Sequence, residues 1–238
     1  MDVTAPAIVV AVLPHGEHGA VVRFLTEANG LVAGYVPGGR SRAMRAVLQP
    51  GCGVMVRLRA RSGALGVATV ELAQSRTLLA TGRVTAVALD YACALVATVL
   101  DEGQPCPRLY AALDGLLDAM TFAVKPDQWL AGIVSFELLL LAELGFGLDL
   151  NTCAATGAAD ADLAFVSPKS SHAVGRDAGE PYAAKLLPLP AFLIRNVPAL
   201  HSDIIDGLRT TGYFLERDVL VGRAAALLAA RARLVAMV

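Results

Sequence analysis

Residues 54–61 read Val54-Met55-Val56-Arg57-Leu58-Arg59-Ala60-Arg61. A period of two runs through all eight. Val54, Val56, Leu58 and Ala60 fall on one side, Met55, Arg57, Arg59 and Arg61 on the other, which is the pattern of a strand with one face in a core and one in water. Four more segments rich in β-branched residues lie before or after it: Ile8–Leu13, Val21–Thr26, Leu31–Val36 and Gly66–Leu72. Turn signals such as Pro14-His15-Gly16 and Asn29-Gly30 separate them. Five short strands within about 75 residues predict a small closed β-barrel. The OB-fold is the commonest nucleic-acid-binding barrel of that size, and an SH3-like barrel is the alternative. Pro37-Gly38-Gly39-Arg40-Ser41-Arg42-Ala43-Met44-Arg45 is too rich in glycine and arginine for a core. It is expected to connect the third strand to the fourth through a short helical turn.

Beyond residue 80 the period becomes helical. Val84–Leu100, Pro107–Phe122 and Pro126–Phe146 have helical length, with Pro107 and Pro126 in the first turn, where proline is tolerated. Gly145-Phe146-Gly147 ends the third. A loop-rich insert at about 149–190 follows, and two helices, Pro198–Thr211 and Phe214–Val238, close the chain with Gly212 as the break between them. The expected fold class is α+β. An OB-fold barrel is expected at 1–80, and a helical domain with the insert at 81–238.

Composition narrows function by exclusion. The 238 residues are 55% hydrophobic and 17% charged, with a net charge of −1, which excludes a disordered chain and a histone-like basic protein. The near-neutral total hides an asymmetry, because residues 1–80 hold eight basic and four acidic residues while 81–238 hold twelve and seventeen. Residues 1–13 carry an acid where a secretory leader has a basic region, so a cytoplasmic chain is expected. The apolar stretches Val84–Leu100 and Trp129–Phe146 contain Asp90, Glu137 and Glu143 and read as buried helices, so no membrane span is expected. Cys52, Cys93, Cys106 and Cys153 have no zinc spacing and read as small hydrophobes, with no disulfide.

Arg40, Arg42, Arg45, Arg57, Arg59 and Arg61 put six guanidiniums into 22 residues with no acid among them. They are either a phosphate-binding surface or an ordinary solvated strand face and loop. Phe24 and Tyr35 are the only aromatic rings of Phe, Tyr or Trp type in the first 80 residues and read equally well as barrel filling, so binding is expected to be mainly to backbone. His15 and His18 sit in a Pro/Gly turn without a third ligand and read as polar turn residues rather than a metal site. Glu137 and Glu143 lie six apart on one helix, too far round it to pair, and are expected at solvent or in local ion pairs. No phosphate loop, nucleophile elbow, dinucleotide fingerprint or zinc-protease motif is present, so neither catalytic residues, cofactor nor metal is expected and an enzyme is the weaker class. Arg231 falls on the apolar stripe of the last helix, either snorkelling or meeting a carboxylate from a partner peptide.

Three stretches together resemble a known family. The first runs from Ala7-Ile8-Val9-Val10 through Pro14-His15-Gly16-Glu17 and Phe24-Leu25-Thr26-Glu27 to Gly38-Gly39-Arg40-Ser41 and Leu48-Gln49-Pro50. The second is Phe136-Glu137-Leu138-Leu139-Leu140-Leu141-Ala142-Glu143-Leu144-Gly145-Phe146-Gly147, followed by Cys153, and the third, weaker, is Leu208-Arg209 to Phe214-Leu215 with the final helix. In this order they resemble the bacterial recombination mediator family RecO. The resemblance implies an N-terminal OB-fold with a helical domain after it. It also implies a nucleoid-associated role in annealing complementary strands and loading RecA on single-stranded DNA covered by single-strand-binding protein. Single- and double-stranded DNA, RecR and the C-terminal tail of single-strand-binding protein are the partners it implies. Two departures stand out. Many relatives hold zinc through two Cys-x-x-Cys pairs, whereas here Cys153 is followed by Thr156, and the second pair falls near Gly175 and Ala178; a metal-free hairpin of Leu163–Val166 and Ala173–Gly175 is expected instead. Some relatives carry arginines where this chain has Val134 and Ser135. The competing reading from another class is an interaction adaptor whose basic barrel binds an acidic protein rather than DNA.

Overall fold

A computed structural model describes residues 2–59, 65–76, 82–123, 125–159, 161–222 and 225–238. Strands β1 (Asp2–His15), β2 (Gly19–Thr26), β3 (Gly30–Val36), β4 (Gly53–Arg59) and β5 (Gly66–Gln74) close into a barrel in the order β1-β2-β3-β5-β4, with helix α1 (Arg42–Val47) between β3 and β4. All neighbours are antiparallel except β3 and β5, which close the barrel in parallel through Gly34–Gly66 and Tyr35–Val67. This is an OB-fold followed by helices, an α+β chain. Its interior is filled by Val9, Val22, Phe24, Val32, Val54, Val56, Leu58 and Ala68. The alternation read from residues 54–59 is the observed one: Val54, Val56 and Leu58 are buried, while Arg57 and Arg59 are exposed. Ala60 and Arg61 lie outside the described residues.

Alternation fails over Ala7–Val10, where all four residues are buried. Ala7 and Val9 face the barrel interior. Ile8 points outward with Leu25 and Leu31, which it joins through the cross-strand pairs Ile8–Leu25 and Leu25–Leu31. Helix α2 (Arg83–Val99) packs on β1 and α3 (Pro107–Phe122) on β2, which removes this end of the barrel's outer face from water. Accordingly the chain forms two compact units, Met1–Pro126 with Ala229–Leu234, and Asp127–Leu228 with Val235–Val238. The compact division therefore falls after Pro126, because α2 and α3 cover apolar strand residues. The change of period near residue 80 sits at a stretch outside the described residues.

Arg76, just past β5, joins strand to helix in the first unit. It is 1% exposed, its Nε donates to Asp118 at 2.6 Å and its Nη2 to Asp114 at 2.6 Å and Gln74 at 3.1 Å. Burial works against the charge, but the bonds to Asp118 and Asp114 outweigh it and raise the guanidinium's pKa. Arg23 does a similar task on β2, donating to the Ala97 carbonyl in the last turn of α2, where the helix dipole favours a cation, and to Glu102 at 3.3 Å.

In the second unit, α4 (Asp127–Glu143) ends as expected: Gly145 has φ 86°, its N–H reaches Ala142 and the Phe146 N–H reaches Leu141. The expected hairpin is present as β6 (Leu163–Val166) and β7 (Ala173–Gly175), with the two-residue β8 (Leu187–Pro188) on the far side of β6 and the short α5 (Arg176–Gly179) after β7. Helix α6 (His201–Phe214) packs on α4. The expected break at Gly212 is overturned, because Gly212 is a buried interior residue of α6, and the chain continues through a π-helical turn at Leu215–Val219. Phe214 and Leu215 are both fully buried, and that burial exceeds the ~1 kcal/mol a helical glycine costs. The break instead falls at Gly222, with φ 64°, before α7 (Ala225–Val235). Glu137 also differs from expectation. It is fully buried, and the Thr211 hydroxyl on α6 donates to its carboxylate, because its position on α4 faces α6 rather than water.

Candidate nucleic-acid interface

The loop after β3 is shaped by its own sequence. The Gly39 N–H bonds the Val36 carbonyl, and the Ser41 hydroxyl accepts from Met44 N–H at 3.3 Å as the N-cap of α1. The Arg40 N–H donates to His18 at 3.0 Å, and its Nη1 donates to the carbonyls of Gly16 and Glu17 at 3.0 and 3.1 Å. Arg40 is thus tied to the β1–β2 turn while remaining exposed. Arg42 and Arg45 stand exposed on α1. An open cleft of about 250 Å³ lies beside them, with an aliphatic floor of Val12, Pro14, Ala20 and Leu48 and a rim of Arg40, Arg45 and Gln49.

Arg57 and Arg59 project from the outer face of β4. The register brings them neighbours that sequence distance conceals, because Arg59 is paired with Asp2 on β1 and Val67 on β5, and Arg57 with Thr4 and Thr69. Glu71, paired with Met55, lies diagonal to Arg57. Acids absent from residues 40–61 are therefore near this face in space. The same ladder relates the two arginine groups. Arg59 pairs with Val67, and Val67 with Tyr35, so Arg59 is about 10 Å from the end of β3, at ~4.8 Å per strand. The chain leaving β3 there carries Arg40, Arg42 and Arg45. Arg61 is outside the described residues.

The structure separates the two aromatic residues that the sequence left open between barrel filling and the surface. Phe24 fills the barrel, but Tyr35 lies half-buried on its outer face between the inward-facing Gly34 and Val36. Strand parity was the available signal, since Tyr35 is three residues from the inward Val32. Arg231 is 8% exposed on α7, on the same helical face as the buried Leu227 and Leu234.

The residues where the resemblance puts zinc ligands do not fit the ion. Cys153 is buried beside the Thr156 hydroxyl and accepts the Gly175 N–H at 3.2 Å, and these donors, Thr156 first, outweigh burial and hold its thiol pKa down to about 7. Hydrogen-bond donors thus occupy positions where thiolates would be needed. Among the described residues no group of three His, Cys, Asp or Glu side chains is disposed to hold a metal. Nor is any described helix long and apolar enough to cross a membrane.

Two family models match the chain, Recombination protein O N terminal over residues 1–76 and Recombination protein O C terminal over residues 82–224. The chain is 46% identical over 234 residues to the DNA repair protein RecO of Rhodospirillum rubrum, covering 96% of this chain and 92% of that one. It is 45% identical over 216 residues to the DNA repair protein RecO of Caulobacter vibrioides strain NA1000, covering 90% and 87%. To that of Rhodospirillum centenum it is 42% identical over 238 residues, covering 99% and 94%.

Proposed function

The chain belongs to the recombination protein O family of DNA repair proteins, and on that premise we propose that it is a DNA-binding recombination mediator whose barrel, residues 1–80, holds the strand. The observation that carries the reading is the set of exposed guanidiniums on an OB-fold, Arg40 in the loop after β3, Arg42 and Arg45 on α1, and Arg57 and Arg59 on the outer face of β4. Arg61 extends the set by sequence. Phosphate contacts of this kind are sequence-tolerant and act on both single and double strands. A protein that binds backbone and leaves base edges free can hold two complementary strands while they anneal, and can occupy strand vacated by single-strand-binding protein while RecA loads. RecR and the tail of single-strand-binding protein are its proposed protein partners, and the nucleoid in the cytoplasm its place of action. The tail's carboxylate is assigned to Arg231, whose burial beside Leu227 and Leu234 would strengthen a forked ion pair relative to one in water. Nothing in this role requires a catalytic residue.

A salt titration of full-length protein on labelled single-stranded oligonucleotides tests the reading. Six phosphate contacts give a log–log slope of roughly −4, at about −0.7 per contact. Replacing Arg57 and Arg59 by alanine should flatten it by about 1 to 1.5 with the fold intact, because both side chains face water. An unchanged slope removes β4 from the interface. Absence of DNA binding by the wild-type chain would favour an acidic protein as the barrel's ligand.

A further inference from the structure

The outer face of the barrel has two ends of unlike character. Around Ile8, Leu25 and Leu31 it is fully buried, with α2 against β1 and α3 against β2. At the other end a cross-strand row runs Leu13–Val21–Tyr35–Val67–Arg59 through the pairs Leu13–Val21, Val21–Tyr35, Tyr35–Val67 and Val67–Arg59. Residues paired in this way point to the same face. Leu13 is 55% and Val67 50% exposed, Val21 and Tyr35 are half-buried, and Arg59 is exposed. Four strand spacings give the row a path of about 19 Å round the curved wall of the closed barrel.

Its centre is the Tyr35 ring. A Cβ on Gly19 would lie 2.3 Å from Tyr35 Cε2, so the phenol occupies space that only glycine leaves free. The His15 and Tyr35 rings pack in a T-shaped arrangement, with centroids 5.6 Å apart and planes at 75°. Tyr35 thereby packs against Gly19 and His15, so less side-chain freedom remains to be lost on contact with a ligand.

We propose that Tyr35 is a base-stacking platform, and that the row Leu13–Val21–Tyr35–Val67 receives the unpaired bases of a single strand whose phosphates lie on Arg59 and its neighbours. This rests on the DNA-binding reading above and deepens it. An apolar row with an aromatic centre and a guanidinium at its end matches the alternation of a nucleic-acid strand, in which apolar base faces hang from an anionic backbone. Charge complementarity supports that occupant over a protein. Arg40, Arg57 and Arg59 are exposed around the row, and the nearest acids in the ladder are Asp2, opposite Arg59, and Glu71, diagonal to Arg57. The Glu17 side chain lies in the β1–β2 turn. The consequence is a preference for single over double strands, because bases stacked inside a duplex present no face to Tyr35, whereas the arginines serve both.

The test compares Tyr35→Leu and Tyr35→Phe with wild type on a single-stranded oligonucleotide and on the same sequence as a duplex, across a salt series. Tyr35→Leu should weaken single-strand binding about ten-fold or more, the scale of one lost base stack. Its salt slope and duplex affinity should be unchanged, and Tyr35→Phe should bind like wild type. In parallel, wild-type protein irradiated on an oligonucleotide carrying 5-iodouracil should crosslink through the peptide that holds Tyr35, a readout that needs no variant to fold. Tyr35→Leu binding as wild type, or losing single and double strands equally, overturns the platform while the arginine interface stands; in the first case the row is left to a protein partner. Crosslinks that avoid the Tyr35 peptide overturn it as well. Wild-type protein that binds no single strand overturns both readings.

Discussion

Removing the positive charge of Arg76 should cost less than removing the two carboxylates that hold it. Arg76→Met deletes charge-assisted bonds of 2.6 Å to both Asp114 and Asp118, with weaker ones to Gln74 and the Gly51 carbonyl. Breaking a fully buried pair costs about 3–5 kcal/mol, mostly because the remaining charge stays desolvated. Here the two aspartate side chains are each 39% exposed, so they recover hydration, and Arg76→Met should cost about 2–3 kcal/mol. The reverse change is harsher. Asp114→Asn with Asp118→Asn leaves the guanidinium of a residue 1% exposed without a counter-ion, and should reach the full range of about 3–5 kcal/mol. Combining all three substitutions should be milder than the aspartate pair alone, which makes the coupling measurable by a mutant cycle. Trp129, the only tryptophan, lies in the other compact unit, so its fluorescence is the wrong probe. Amide hydrogen exchange at β4 and β5, with urea unfolding followed by circular dichroism, reports on the barrel unit directly. A cost below ~1 kcal/mol for the aspartate pair, or a triple variant as unstable as that pair, would refute the argument that Arg76 is a desolvated ion held by α3.

Cys153 links stability to pH. Its folded pKa of about 7 lies below the ordinary thiol value, so the folded state releases its proton first, and stability should rise from pH 7 to 9 and fall as pH drops through 7. Urea unfolding of wild type and Cys153→Ala at pH 6.5 and 9 should show that rise reduced in the variant. The same protein should carry no stoichiometric zinc by elemental analysis, and chelator should leave its melting temperature unchanged. Gly207→Ala should destabilise the second unit by about 1–3 kcal/mol in thermal unfolding, because the new Cβ would stand 2.7 Å from Val134 Cγ1 at the α4–α6 contact. Arg231→Ala should weaken binding of a single-strand-binding-protein tail peptide by roughly 1.5–3 kcal/mol in calorimetry and leave DNA affinity unchanged; normal peptide binding would reduce Arg231 to a packing role.

Features that depend on neighbours along the chain were legible in the residues alone. The alternation of β4, the start of α3 at Pro107 and the Gly145 terminus of α4 follow from strand parity and caps, which act over a few residues, whereas the β6–β7 hairpin was implied by the family resemblance. Tertiary structure decided which side of each element is covered. Ile8 and Tyr35 both face outward on the barrel, yet one is sealed and the other open, because α2 and α3 pack on one end of that face only. Gly212 reads as a stop and is a helix interior because Phe214 and Leu215 beyond it are buried. Glu137 reads as solvated and is buried because Thr211, 74 residues away, supplies a hydroxyl. Asp114 and Asp118 lie four apart on one helical face, but that Arg76 bridges them is settled only when β5 returns to α3. Periodicity tells each residue which face of its own element it occupies; burial, pairing and exposure depend on what lies across from that face, and long-range packing alone supplies it.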